Sequence, residues 1–273
     1  MKVIYSFKKL KTEHYKPLNT NFFKLAKLSV ELAKKYYKVE FYGDSDSFKL
    51  FDERGIEFDK VILLDSILKY DGDITSMSKL LAMVEQSEPY MCLDFDTLLL
   101  QKIPETHSIT YGYPEITKIH LHNILTEESQ DEYLKYIDKY YKKSLEKYKN
   151  KLPNFVNPSC SEIPNYSLFM VNHPTLIKEI LNDIFTRFTK DELEEMGAMF
   201  IEQLLIYLYL LELDIDINFL YKNNLMVDSD LINTIKYKFI HYIRYHEDTK
   251  FEEKIDMISK SYNISLKLNE KLF

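Results

Sequence analysis

The stretch Pro89–Gln101, "PYMCLDFDTLLLQ", decides how the rest of the chain is read. It has the composition of a buried strand, yet it carries two carboxylates, Asp94 and Asp96, two residues apart. Along a strand such residues point to the same face. The other positions on that face are Tyr90, Cys92, Leu98 and Leu100, and Met91, Leu93 and Phe95 make the opposite face apolar too. Neither face offers water unless the pair emerges at a strand end. An ionised carboxylate removed from water without a partner is among the costliest groups to bury, and two like charges this close repel as well. A divalent cation is the simplest compensation, and oxygen ligands suit Mg²⁺ or Mn²⁺.

The D-x-D spacing is not specific by itself, because Asp44/Asp46, Asp71/Asp73, Asp214/Asp216 and Asp228/Asp230 share it. Context separates them. In "DIDINF" (Asp214–Phe219) the polar set Asp214, Asp216 and Asn218 alternates with Ile215, Ile217 and Phe219, the pattern of a half-buried strand whose aspartates face solvent. Only the pair at Asp94 lies in a run that is apolar on both faces.

Outward from this stretch, strands and helices alternate. Towards the N-terminus, "VIYSF" (Val3–Phe7), "VEFYG" (Val39–Gly43) and "KVILLD" (Lys60–Asp65) read as strands. Between them, "FFKLAKLSVELAKKYY" (Phe22–Tyr37) has helical spacing after the capping cluster Asn19, Thr20, Asn21. "DSFKLFDERG" (Asp46–Gly55) is a short helix stopped by glycine, and "TSMSKLLAMVEQS" (Thr75–Ser87) leads into the aspartate run. Strands alternating with helices predict an α/β fold with a mainly parallel sheet covered by helices, whose ligands bind beyond the carboxyl ends of the strands. Towards the C-terminus, Glu127–Lys151 is a charged, helix-prone insertion. "PNYSLFMVNHP" (Pro164–Pro174) is another strand, and Ile201–Leu213 is a buried helix. These elements make one domain over 1–273, with halves at 1–105 and 106–273, an insertion at about 124–151 and a helical C-terminal part.

Composition narrows the function. Of 273 residues, 45% are hydrophobic, enough for a real core, and the net charge of −7 without a long basic block speaks against non-specific nucleic-acid binding. Two cysteines, Cys92 and Cys160, make neither a disulfide framework nor a CxxC metal site, and fit a reducing, cytoplasmic setting. The first residues, "MKVIYSFKKL", lack the apolar run of a secretory signal, and the most apolar segment, Leu204–Leu211, is too short to span a bilayer. Tyr (22) and Phe (17) are abundant; this reads first as compositional drift, although tyrosine could stack on a base or a sugar. The five glycines form no GxGxxG fingerprint and no P-loop, so a bound nucleotide would have its diphosphate held by metal rather than by a glycine-rich cradle.

The run "SKLLAMVEQSEPYMCLDFDTLLLQKIP" resembles the D-x-D region of nucleotide-sugar-dependent glycosyltransferases of the GT-A fold, and "LAKLSVELAKKYYKVEFYGDSDSFKLF" is similar to their first helix and second strand. The likeness is greatest to a poorly characterised group of bacterial-type transferase-like proteins. Downstream, "NYSLFMVN" (Asn165–Asn172) resembles the segment that contacts the donor sugar, "FIEQLL" (Phe200–Leu205) a later helix with an acidic residue, and "FIHYIRYHEDTK" the stretch supplying a metal-binding histidine. The resemblance implies a GT-A-like, Rossmann-like sheet and a hexosyltransferase-type activity. A sugar would move from a nucleoside-diphosphate sugar, UDP-linked before others, to a glycan or other hydroxyl acceptor, with Mn²⁺ or Mg²⁺.

By the same resemblance, Asp94, Asp96 and His241 are the metal ligands, with His246 a rival to His241. Tyr5, Ser6, Asp44, Lys79 and Asp94 face the nucleotide. Asn165 and Glu202 face sugar and acceptor, Glu202 as the base should the reaction invert. Ser167 stands where the related segment commonly has glycine. Structural roles compete for each residue: a capping or turn role for Asn165, surface exposure for Glu202, a satisfied interior position for His241. His120 and His122 have strand spacing but no further ligand cluster to make a zinc site. Two other classes stay open: a nucleotidyltransferase, which would commonly add a triphosphate-binding loop, and a non-catalytic interaction protein on a relict transferase fold.

Overall fold

The computed structural model describes residues 1–8, 18–65, 77–116, 143–144, 146–152, 163–221, 239–241 and 250–269. Its centre is a seven-stranded sheet. Strand β1 (Lys2–Phe7) lies between β2 (Lys38–Gly43) and β4 (Tyr90–Leu93), and β3 (Lys60–Leu63) closes one edge. Beyond β4 come β9 (Leu168–Val171), β6 (Ile109–Tyr111) and the other edge strand β10 (Ile217–Phe219). All neighbours pair in parallel except β9, which runs antiparallel to both β4 and β6. The predicted mainly parallel sheet covered by helices is therefore present, and it draws strands from both halves of the chain.

The alternation of β1 distributes its side chains between two cores. Val3 and Tyr5 enter one with α1 (Thr20–Lys34) and α2 (Ser45–Asp52); Ile4 enters the other with α3 (Met77–Val84) and α4 (Pro174–Arg187). Helix α1 starts where the capping cluster predicts it, Asn19 Oδ1 accepting from the Phe22 N–H at 3.0 Å, and buries Phe22, Phe23, Leu25, Ala26 and Leu28 against the sheet. Asp44 caps α2 in the same way through the Ser47 N–H, at 2.7 Å.

Two readings of the sequence change. The Pro89–Gln101 run is not one strand: β4 ends at Leu93, the chain turns through the aspartates, and β5 (Thr97–Leu99) leaves the main sheet to pair antiparallel with β11 (Phe239–His241). Its apolarity on both faces comes from two strands buried in different places, and the strand end that would free the carboxylates is real. The buried helix at Ile201–Leu213 is also two pieces. After α5 (Lys190–Met199) the chain widens into a π-helix over Phe200–Leu205, then tightens into α6 (Ile206–Glu212). The solvent-facing reading of Asp214 and Asp216 holds, both being exposed. Two-stranded β7 (Pro114–Ile116) with β8 (Ile163–Pro164), and helix α7 (Phe251–Ser261), complete the described elements. Most of the insertion at 124–151 lies outside the described residues; Lys143, Ser144 and Glu146–Tyr148 are helical.

Candidate active site

Along β4, Met91 and Leu93 point into the core with α1, and Tyr90 and Cys92 into the core with α3, α4 and the π-helix. Asp94 is the next residue in the second phase, so it leaves the strand on the side where α3 and the π-helix stand. There Asp94 Oδ1 accepts from the Lys79 ammonium of α3 at 2.8 Å. The turn closes with the Thr97 N–H on the Asp94 carbonyl at 3.0 Å, and the Asp94 N–H binds the Ser167 carbonyl at 3.0 Å. Phe95, between the aspartates, anchors the turn from beneath: its ring stacks on Tyr5 at 4.8 Å and on Phe51 at 4.5 Å. Burying that ring while the carboxylates rise on either side is what places two charges at the carboxyl end of the sheet.

Asp96 is buried and faces β11. Because β11 pairs with β5 in the register His241 to Thr97, the imidazole sits beside the aspartate turn, with Nε2 3.3 Å from Asp96 Oδ1. Asp94, Asp96 and His241 each bring one ligand atom into a group in which all lie within 4.8 Å of one another. Oxygen ligands sit ~2.1 Å from a small divalent cation, so side-chain movements would let all three residues hold the same ion. Two carboxylates and one imidazole suit a divalent cation such as Mn²⁺. The donor set fits the metal that the resemblance implies.

Behind it lies a buried charge cluster. Lys79 Nζ donates to Asp94, to Glu202 Oε1 at 2.5 Å and to the Tyr166 carbonyl at 2.8 Å. Lys79 and Glu202 side chains are only 7% and 9% exposed, whereas Asp94 is 41% exposed and opens the cluster to solvent. Burial acts to lower the Lys79 pKa, but the charges of Asp94 and Glu202 outweigh it and hold the ammonium above its ordinary value. Lys79 is charged at any physiological pH.

Glu202 reaches this point through local backbone chemistry. Helix α5 begins with a capping box, Thr189 and Glu192 each bonding the other's backbone N–H, and breaks at Gly197, whose φ of 66° and ψ of 156° belong to a region used almost only by glycine. The π-helix that follows carries Glu202 inward, where Lys79 meets it. Single π-turns of this kind recur at functional sites.

Asn165 Oδ1 accepts from the Ser167 N–H at 2.8 Å, fixing the turn whose carbonyl holds Asp94. The Ser167 hydroxyl is buried and has no hydrogen-bond partner among the described residues. Tyr5 lies in the core with its hydroxyl on Ser29 Oγ at 2.8 Å and reaches the aspartate turn only through Phe95. Ser6 is half-buried on β1, and Asp44 caps α2 at the end of β2. Thus Lys79, Asp94, Asp96, Glu202, His241 and Asn165 form one connected site, while Tyr5, Ser6 and Asp44 stand along the neighbouring strand ends. His246, His120 and His122 lie outside the described residues. Cys92 is interior, and burial pushes its thiol pKa well up.

Sequence reasoning missed the tyrosines. Tyr113 Oη hydrogen-bonds His241 Nδ1 at 2.6 Å, and Tyr166, whose carbonyl binds Lys79, pairs its hydroxyl with that of Tyr111 at 2.8 Å. Among 22 tyrosines nothing in local sequence marks these three.

No protein-family model matches the chain, and no curated protein matches it in sequence. Among solved structures it is similar to mouse xyloside xylosyltransferase 1 in its apo form, with 12% identity over 88% of this chain and 96% of that one, at a TM-score of 0.40. It is also similar to the galactosyltransferase LgtC in complex with donor and acceptor sugar analogues, with 11% identity over 96% of both chains, at a TM-score of 0.47. An active-site mutant of LgtC matches with 11% identity and a TM-score of 0.46. Among the described residues no helix is long and apolar enough to cross a membrane.

Proposed function

We propose that this protein is a metal-dependent glycosyltransferase that moves a sugar from a nucleoside-diphosphate sugar to a hydroxyl acceptor. The observation that carries the reading is the donor set Asp94, Asp96 and His241 at the carboxyl end of the sheet, beside the buried ion pair of Lys79 and Glu202. Asp94 and Asp96 would hold Mn²⁺ or Mg²⁺ by their carboxylates and His241 by Nε2. A bound cation supplies Lewis-acid stabilisation of the charge that develops on the departing diphosphate. Lys79 supports this by holding Asp94 in place and by adding a fixed positive charge behind the leaving group. The absence of a glycine-rich cradle from the sequence fits a diphosphate held in this way.

The resemblance of the aspartate run favours a UDP-sugar as donor and a glycan as acceptor. Ser6 and Asp44, along the adjacent strand ends, would face the nucleotide, whereas the expected direct contact from Tyr5 is ruled out by its burial in the core, and Tyr5 would act only through Phe95. Asn165 and Ser167 stand where the sugar would approach. Glu202 Oε1 is engaged by Lys79, so a base role in an inverting reaction would require release from the ammonium. The cysteine usage supports a cytoplasmic location.

Melting curves with UDP, GDP, CDP and ADP, each with Mn²⁺ and again with excess EDTA, test the reading. A ligand at 100 times its Kd adds about 2.7 kcal/mol, which for a chain of this size raises Tm by roughly 5–10 °C. The expected result is a rise with one nucleotide that needs the metal and is lost in Asp96→Asn. No rise with any pair refutes the transferase reading in favour of a non-catalytic protein on this fold.

A further inference from the structure

We infer that Tyr113 is the positioning residue of His241, its phenol fixing the imidazole so that Nε2 can turn a lone pair towards the cation between the aspartates. The inference rests on the metal site of the proposed function and concerns a residue that site does not itself contain.

The geometry is built from both sides. Tyr113 is 2% exposed, and its Oη stands 2.6 Å from His241 Nδ1, while the other ring nitrogen faces Asp96. The Tyr113 main chain is pinned, since its carbonyl accepts from the Asn165 N–H at 2.9 Å and the Gly112 N–H before it binds the Leu168 carbonyl at 2.9 Å. Its ring lies nearly parallel to that of Phe239, with 12° between planes and 6.3 Å between centres. Phe239 is two residues before His241 on β11, hence on the same face of that strand. The tyrosine therefore touches the histidine directly and also packs on the strand that carries it.

A phenol suits this place because it can donate or accept. For Nε2 to hold a cation, the ring proton would sit on Nδ1, where the phenol oxygen can accept it. Phenylalanine would fill the same volume and leave that proton without this acceptor. Partners of this kind on ligating histidines fix the ring and raise its basicity.

The test is Mn²⁺ titration of the purified protein, read by the electron paramagnetic resonance of free Mn²⁺, for wild type and Tyr113→Phe. The ¹⁵N spectrum of the His241 ring in the metal-free proteins accompanies it. The expected result is about ten- to hundred-fold weaker binding in Tyr113→Phe, with the His241 ring nitrogen signals moved between the two metal-free proteins. Binding within two-fold (about experimental scatter) of wild type overturns the inference and leaves the proposed function standing. Failure of the wild type to bind Mn²⁺ overturns the metal site, and this inference with it. Should Tyr113→Phe not fold, Phe239→Leu removes the ring packed on Tyr113 and keeps the phenol. A several-fold loss of Mn²⁺ affinity in that variant supports the inference, and unchanged affinity overturns it.

Discussion

Replacing Lys79 by methionine keeps most of the side chain's volume and removes only the ammonium that Asp94, Glu202 and the Tyr166 carbonyl share. At 2.8 Å and an effective dielectric of 20, each charge contact is worth about 6 kcal/mol before desolvation is subtracted. The net cost is smaller, because methionine needs no desolvation. What remains is the penalty of leaving carboxylates buried without their cation, about 3–5 kcal/mol for a buried pair. Asp94 is 41% exposed and is screened by water, which places the expected loss near ~3 kcal/mol. That corresponds to a fall in Tm of roughly 6–12 °C.

The pH dependence supplies a second readout. The folded-state pKa of Lys79 lies above its unfolded value, so its contribution is fully present below about pH 10.4 and fades only as pH rises through the folded value. In wild type Lys79 adds no slope between pH 5 and 8. In Lys79→Met, protonation relieves the stranded carboxylates, so the deficit is smaller at pH 5 than at pH 8. Urea unfolding at both values measures it. A loss below about 1 kcal/mol, the level of an exposed pair, or a deficit equal at both pH values, would refute the claim that this ammonium holds the buried Glu202 and the partly exposed Asp94 together.

Gly197→Ala places a β-carbon at a backbone conformation that only glycine adopts readily; it should cost about 1–3 kcal/mol in calorimetry and also lower transferase activity, since the same bend aims Glu202. Gly112→Ala would bring its new carbon to 2.6 Å from the ring of Phe239, pushing β11 away from β5, so isothermal titration should show weaker Mn²⁺ binding. Cys92 is buried and its thiol is held mostly protonated, so at pH 8 the native protein should leave it unalkylated by iodoacetamide in peptide mass spectra. Alkylation of Cys92 at the rate found in urea would contradict the packing around β4.

Much of this architecture follows from local pattern. The alternation in Val3–Phe7, the capping asparagine before Phe22 and the apolar run of β4 each declare an element on their own, and so does the cost of two carboxylates in such a run. What the sequence conceals is phase. One strand covers Pro89–Gln101 as well as two strands and a turn do, because both arrangements bury the same side chains; only the partner β11, some 140 positions on, decides between them. The π-helix is hidden for a like reason, since apart from Glu202, Gln203 and Glu212 the run Phe200–Leu213 is apolar and gives no stripe from which to read its period. The links Tyr113 to His241 and Lys79 to Glu202 are invisible, because a tyrosine or a lysine carries no local mark of what it will meet.

Those same two links span long intervals of chain: Glu202 lies 123 positions after Lys79, and His241 lies 128 after Tyr113. During synthesis at the usual rate, each early partner waits on the order of 6–25 seconds for its mate to leave the ribosome. The first half of the chain is therefore born with Lys79 lacking Glu202, and with Asp94 and Asp96 lacking His241. Truncations that end before β11 should yield a sheet that can begin to pair but a site that cannot assemble, and the nascent chain's ability to retain metal would date the arrival of its last strand.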